Sequence, residues 1–125
     1  MNEFEADEKY PTSFSQKDGS AAHLFSSANR NTVVRHFKWM RNYGIDGVFL
    51  QRFVSVLKSE AALRYSNTVL DNVRAGASQY GRTWALMYDL SGLQKGDEQK
   101  IMGNCAEFVD RLGITHDPCY QRHAG

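Results

Sequence analysis

Two stretches of the chain follow one plan of apolar and polar positions. Each opens with apolar residues at helical spacing, closes that helix at Tyr-Gly, passes through a nearly unbroken apolar run and ends in polar side chains. In the first, Val33, Phe37 and Met40 mark the helical face and Val34 widens it. Tyr43-Gly44 follows, then Val48-Phe49-Leu50, then Gln51-Arg52. In the second, Ala61, Leu63, Val69, Leu70, Val73 and Ala77 form the apolar side. Tyr80-Gly81 follows, then Trp84-Ala85-Leu86-Met87, then Tyr88-Asp89. Helices alternating with short apolar strands are the unit of parallel α/β folds.

The spacing predicts a first helix over 32–43, capped by Asn31 or Thr32, whose short side chains can accept from the free amides of the first turn. A strand over 48–53 follows a turn at Asp46-Gly47. A second helix covers 60–79, with Ser66 and Asn67 as a point where it could divide, and a strand over 84–88 comes next. A third helix spans 97–112, with Asp97 and Glu98 in its first turn and Ile101, Cys105, Phe108, Val109 and Leu112 facing inward. Gly44, Gly81 and Gly113 stand where helices stop, at positions suited to left-handed backbone. Residues 1–30 keep no period, and Pro11, Asp18, Gly19 and several serines punctuate them. They read as an extended loop pinned by the apolar islands Phe14 and Leu24-Phe25. Residues 31–125 are the α/β segment.

Both strands lack a clean alternation, as strands covered on both faces do. Three helices against two strands leave a sheet too small to stand alone. The expected fold is therefore α/β, a fragment of a (β/α)8 TIM barrel with about two complete helix–strand units plus a third helix. The alternative is a small α/β domain completed by self-association.

Composition narrows the function classes. The chain has 125 residues, 42% of them hydrophobic and 23% charged, with a formal net charge of +1. That balance argues against electrostatic capture of nucleic acid or of an anionic membrane. No apolar run reaches the ~20 residues that span a bilayer. The acidic start Met1-Asn2-Glu3-Phe4-Glu5-Ala6-Asp7-Glu8 has no apolar core and does not read as a secretory signal, so localisation is left open. His23, His36, His116 and His123 lack metal-ligand spacing, and no metal or cofactor is expected. Cys105 and Cys119 read as unpaired thiols, although a bridge between them is not excluded by sequence.

Candidate chemistry sits at the strand ends. If the strands are parallel neighbours, Gln51, Arg52, Tyr88 and Asp89 converge on one rim, where barrel ligands bind. Their donors and acceptors suit sugar hydroxyls. The plainer reading is an Arg52–Asp89 salt bridge that fixes the loops. Asp46 shapes a turn, Ser91-Gly92 extends the second rim, and His36, Trp39 and Tyr43 read as helix packing. No Gly-rich phosphate loop, nucleophile elbow or carboxylate pair is present, which leaves a flavodoxin-like binding module a poor match.

The block from His36 to Phe53, HFKWMRNYGIDGVFLQRF, resembles a segment of the glycoside hydrolase family 71/99-like proteins. These are relatives of endo-α-mannosidases, also labelled xylosidase/arabinosidase. Met87-Tyr88-Asp89-Leu90-Ser91-Gly92-Leu93 resembles their second block, and Leu24–Ser27 and Thr115–His123 resemble flanking segments. The resemblance covers most of residues 8–125. It implies an early portion of a (β/α)8 barrel with a glycan cleft at its C-terminal face, the end of the sheet at which the strand reading puts Gln51, Arg52, Tyr88 and Asp89 as substrate-binding residues. It also implies another strand directly after this segment, and members that are often exported. The carboxylates tied to chemistry in the endo-mannosidase branch lie on later strands, so no catalytic residue is assigned and the chain alone is expected to be inactive. The alternative is a non-catalytic carbohydrate-binding or remnant α/β protein. One departure stands out: around Asn104-Cys105 the family pattern has an acidic residue followed by Trp.

Overall fold

A computed structural model describes residues 4–123. Met1-Asn2-Glu3, the start of the acidic stretch, and the last two residues lie outside them. The architecture is mixed α/β, with three α-helices and two small sheets. An antiparallel hairpin, β1 (Tyr10–Ser15) and β2 (Ala21–Leu24), leads to helix α1 (Arg30–Asn42). Strand β3 (Gly47–Phe53), helix α2 (Glu60–Tyr80), strand β4 (Thr83–Asp89) and helix α3 (Asp97–Ala106) follow.

β3 and β4 pair in parallel over their full lengths, Gly47 against Thr83 through to Phe53 against Asp89. On the far edge of β4 the chain returns. The Trp84 amide donates to the Cys119 carbonyl at 2.9 Å, and the Gln121 amide donates to the Trp84 carbonyl at 2.8 Å. Tyr120 thereby forms a parallel bridge with Trp84. The polar tail thus adds one parallel bridge to this edge, hidden from hydropathy because a single bridge leaves no strand pattern.

The strands alternate in exposure, contrary to the expectation of cover on both faces. Val48, Leu50, Trp84 and Leu86 pack beneath α1, α2 and Phe108. The opposite face is open: Phe49 is 71% exposed, Phe53 46% and Met87 41%. The missing alternation in the sequence records an apolar outer face that no described element covers.

The helical core joins Val33, Phe37 and Met40 of α1 to Leu70, Val73 and Ala77 of α2. Asn29, rather than Asn31 or Thr32, caps α1, accepting from the Asn31 amide at 2.9 Å. Gly44, Gly81 and Gly113 all hold positive φ, as the stop positions require. Helix α2 runs unbroken through Ser66-Asn67. Beyond α3 a π-helical turn covers Glu107–Arg111, closed by the Leu112 amide on the Glu107 carbonyl. The inward stripe of α3 is Asp97, Ile101, Asn104 and Phe108. Cys105 and Val109, expected inside, face solvent.

Residues 4–30 are not a featureless loop. Asp18 accepts from the Ser20 amide and hydroxyl, and Gly19 at φ 82° completes the hairpin turn. Both hairpin strands are mostly exposed and mix polar with apolar residues, so no period-two signal marks them. Phe14 and Leu24 are exposed, and the anchor is instead the buried Glu8. Its carboxylate accepts from both Arg35 and the Thr32 hydroxyl on α1. The hydrogen bond from Arg35, ahead of the other contacts, holds its carboxyl below the usual range. Phe25 does help: it stacks on Phe4 and meets His36 edge-on, and Trp39 closes the cluster. Tyr43, read as helix packing, is exposed.

α1 and α2 approach closely at Gly76. A β-carbon there would lie 2.5 Å from Cδ2 of the buried Phe37 ring. Overpacking of this kind costs about 1–3 kcal/mol, against roughly 1 kcal/mol gained in helix propensity. Gly76→Ala is therefore expected to lower stability by up to about 2 kcal/mol, as read from urea unfolding midpoints.

Candidate functional site

The carboxyl ends of β3 and β4 bring all four rim residues to one end of the sheet, then divide them between its faces. Successive side chains on a strand point to opposite sides. In the parallel register Arg52 and Tyr88 are partners and face the helices, whereas Gln51 and Asp89 lie on the open face. The expected Arg52–Asp89 salt bridge does not form, because the sheet stands between the two side chains.

On the open face, Gln51 Nε2 donates to Asp89 Oδ2. The Ser91 amide donates to Asp89 Oδ1 at 2.8 Å. Ser91, through its side chain and backbone, and then Gln51 hold the Asp89 carboxyl below its ordinary range. Asp89 is thus an ionised acceptor beside an amide that retains a free acceptor oxygen. This pair can bind hydroxyls, and the exposed Phe49 and Phe53 offer apolar faces next to it.

On the helix face, Arg52 is 1% exposed and touches no carboxylate among the described residues. Its guanidinium donates to Asn67 Oδ1 at 3.0 Å and Asn104 Oδ1 at 3.3 Å, and lies 4.6 Å from the centre of the Phe108 ring. Nε has no partner. Burial pulls the Arg52 pKa down, although the group remains a cation at neutral pH. The Tyr88 hydroxyl donates to the same Asn104 oxygen at 2.8 Å. Burial pushes its pKa up to about 12, so it stays a neutral donor. Arg52 is therefore buried under the helices and Tyr88 half-buried beside it, both bonded to Asn104.

No protein-family model, no curated protein and no solved structure matches this chain.

Two residues of this cluster escaped the sequence reading. Asn67 sits where a helix break was expected, and it is polar because Arg52 lies beneath it. Asn104 sits next to Cys105, whose apolar character drew the inward assignment. The available signal was the stripe Asp97, Ile101, Asn104 and Phe108, regular in spacing but half polar. Among the described residues no group of three or more His, Cys, Asp or Glu side chains is placed to hold a metal. No described helix is long and apolar enough to cross a membrane. Cys105 and Cys119 are free thiols.

Asp97 secures the loops above the rim. It accepts from Lys58 Nζ at 2.7 Å, Lys100 Nζ at 3.3 Å and the Gln94 amide at 3.0 Å. The Lys58 hydrogen bond is the largest influence lowering its pKa from 3.8 to about 2. A carboxyl whose pKa falls on folding stabilises the native state fully above its unfolded value. That stabilisation is lost as pH falls through the folded value. Wild type should lose stability between pH 3.8 and about 2, and Asp97→Asn should show a shallower fall over that window in urea unfolding.

The buried cation supplies a second expectation. Asn104 presents one oxygen to two donors, an acceptor role that a carboxylate fills better. Breaking or leaving unpaired a buried charge is costly. Asn104→Asp is expected to stabilise the chain by about 1 kcal/mol or more, and Asn104→Leu to destabilise it by about 2 kcal/mol, in chemical unfolding.

Proposed function

We propose that this chain is a segment of a glycoside hydrolase-like (β/α)8 barrel. Its open strand ends bind glycan, and the 125 residues hydrolyse nothing by themselves. The observation that carries the reading is the Gln51–Asp89 pair on the uncovered face, at the carboxyl ends of two parallel strands. That is where ligands bind in parallel α/β folds. The resemblance of residues 36–53 and 87–93 to the glycoside hydrolase family 71/99-like proteins points the same way. The helices lie on one side of the sheet and Phe49, Phe53 and Met87 are open on the other, as in a barrel wall seen from its lumen. Glycosidic hydrolysis ordinarily uses two carboxyl groups at a set separation. Asp89 is the one acid among the four rim residues.

Titration of the chain with manno-, xylo- and arabino-oligosaccharides, followed by amide NMR, tests this. Gln51→Ala and Asp89→Ala should each weaken binding about tenfold or more, the loss expected for hydrogen bonds to a charged group. Binding unchanged in both variants would remove the pair from the site. Turnover of any of these glycans by the pure chain would overturn the inactive assignment.

A second reading is a non-catalytic α/β protein that covers its open face by self-association. The exposure of Phe49, Phe53 and Met87 on one face favours it. Dimers in sedimentation that Phe49→Lys dissolves would support this reading over the first.

A further inference from the structure

Beside the end of β3, a cleft of 340 Å³ opens between the strand and the first half of α2. Its walls include Gln51, Phe53, Tyr65, Ser66 and Ser27. We infer that this cleft is a subsite for a neutral sugar ring, continuous with the Gln51–Asp89 pair, in which the Tyr65 ring is the stacking platform. The inference rests on the glycan-binding reading above and adds a residue, a location and a ligand charge to it.

Three features of the cleft argue for that ligand. No lining side chain carries a charge, so nothing there would compensate a phosphate or a carboxylate. The lining is mainly apolar, with aliphatic side chains beside the half-exposed Tyr65 and Phe53, and Ser27, Ser66 and Gln51 are its polar residues. A pyranose or furanose has that same division, with C–H faces for the rings and hydroxyls for the polar groups. The volume falls in the range of small-ligand sites, near its lower end, and suits one ring.

The cleft is also held in shape before any ligand arrives. Asn72, itself buried, donates to the Ser27 and Ala28 carbonyls at 3.0 Å each, fixing the loop that forms one wall against α2. The Ser26 hydroxyl lies 3.5 Å from the Tyr65 hydroxyl across the opening. Ser59 caps α2 and accepts from the amide of Ala62, which lines the cleft. Ordering costs on binding are small where walls are already set. Gln51 belongs to both places, lining the cleft and donating to Asp89. A glycan spanning both would therefore run from the open face of the sheet around the end of β3 towards α2.

The test is the same NMR titration of the full chain, now with Tyr65→Ala, Tyr65→Phe and Ala62→Trp. Neutral oligosaccharides should shift the amides of Ala62, Tyr65 and Ser66. Tyr65→Ala should weaken binding about tenfold, Tyr65→Phe should keep most of it because the ring remains, and Ala62→Trp should abolish it by filling the cleft. Unfolding midpoints of the variants identify any loss that comes from misfolding, in which case the wild-type amide shifts at Tyr65 and Ser66 decide. If Asp89→Ala abolishes binding while Tyr65→Ala and Ala62→Trp bind as wild type, the subsite is overturned and the rim stands. Tighter binding of uronic-acid oligosaccharides than of neutral ones overturns the neutral ligand. Absence of binding to every saccharide overturns both the subsite and the glycan reading.

Discussion

Trp84 is the residue on whose surroundings the sheet layer depends. Its side chain is fully buried, and its backbone amide and carbonyl both bond the returning chain on the outer edge of β4. On one edge it is registered against Val48 of β3, and on the other it receives the returning chain at Cys119–Gln121. The indole meets Tyr120 edge-on at 4.9 Å and belongs to the same core as Phe37, Leu70 and Phe108. Two-stranded sheets are marginal in water unless helices cover them. Here one indole links that cover to both neighbours of the strand. The strand ends keep their places because the layer under them is anchored at this point.

The second constraint is electrostatic. Arg52 places a cation under α2 and α3, where only two amide oxygens and an aromatic face receive it. Such a group needs acceptors at fixed positions, and this explains polar residues on helix faces that should otherwise be apolar. Asn67 and Asn104 are spaced so that each reaches down to the same guanidinium, and Tyr88 shares the second of them. The π-helical turn after Ala106 lies just where Phe108 must reach the guanidinium, and it leaves Val109 outside. The polar cluster and the irregular helix are parts of one arrangement.

The readable portion of the fold came from local rules. Helical spacing located α1, α2 and α3 within a few residues, and Tyr-Gly placed both turns into strands, because those signals act over a few neighbouring residues. The hairpin was not readable, since its strands are mostly exposed and of mixed polarity and its turn rests on Asp18 bonding to Ser20. Nor was the anchoring of the N-terminal segment, which depends on Glu8 meeting Arg35 across a long stretch of chain. For the candidate site, sequence identified the right strand ends but put four residues on one rim. Whether a side chain faces the helices or the open side follows from the parity of the strand. Parity was obscured by apolar residues on both faces.

That parity has a consequence for how such a surface changes over time. Gln51 and Arg52 are neighbours in the chain, yet they answer to different demands. A replacement at Arg52 disturbs the amides of two helices, and one at Gln51 meets solvent. The same division holds between Asp89 and Tyr88. Side chains on the open face can therefore change at every other position along these strand ends while the layer beneath stays as it is. A change of that surface need not pass through a less stable intermediate.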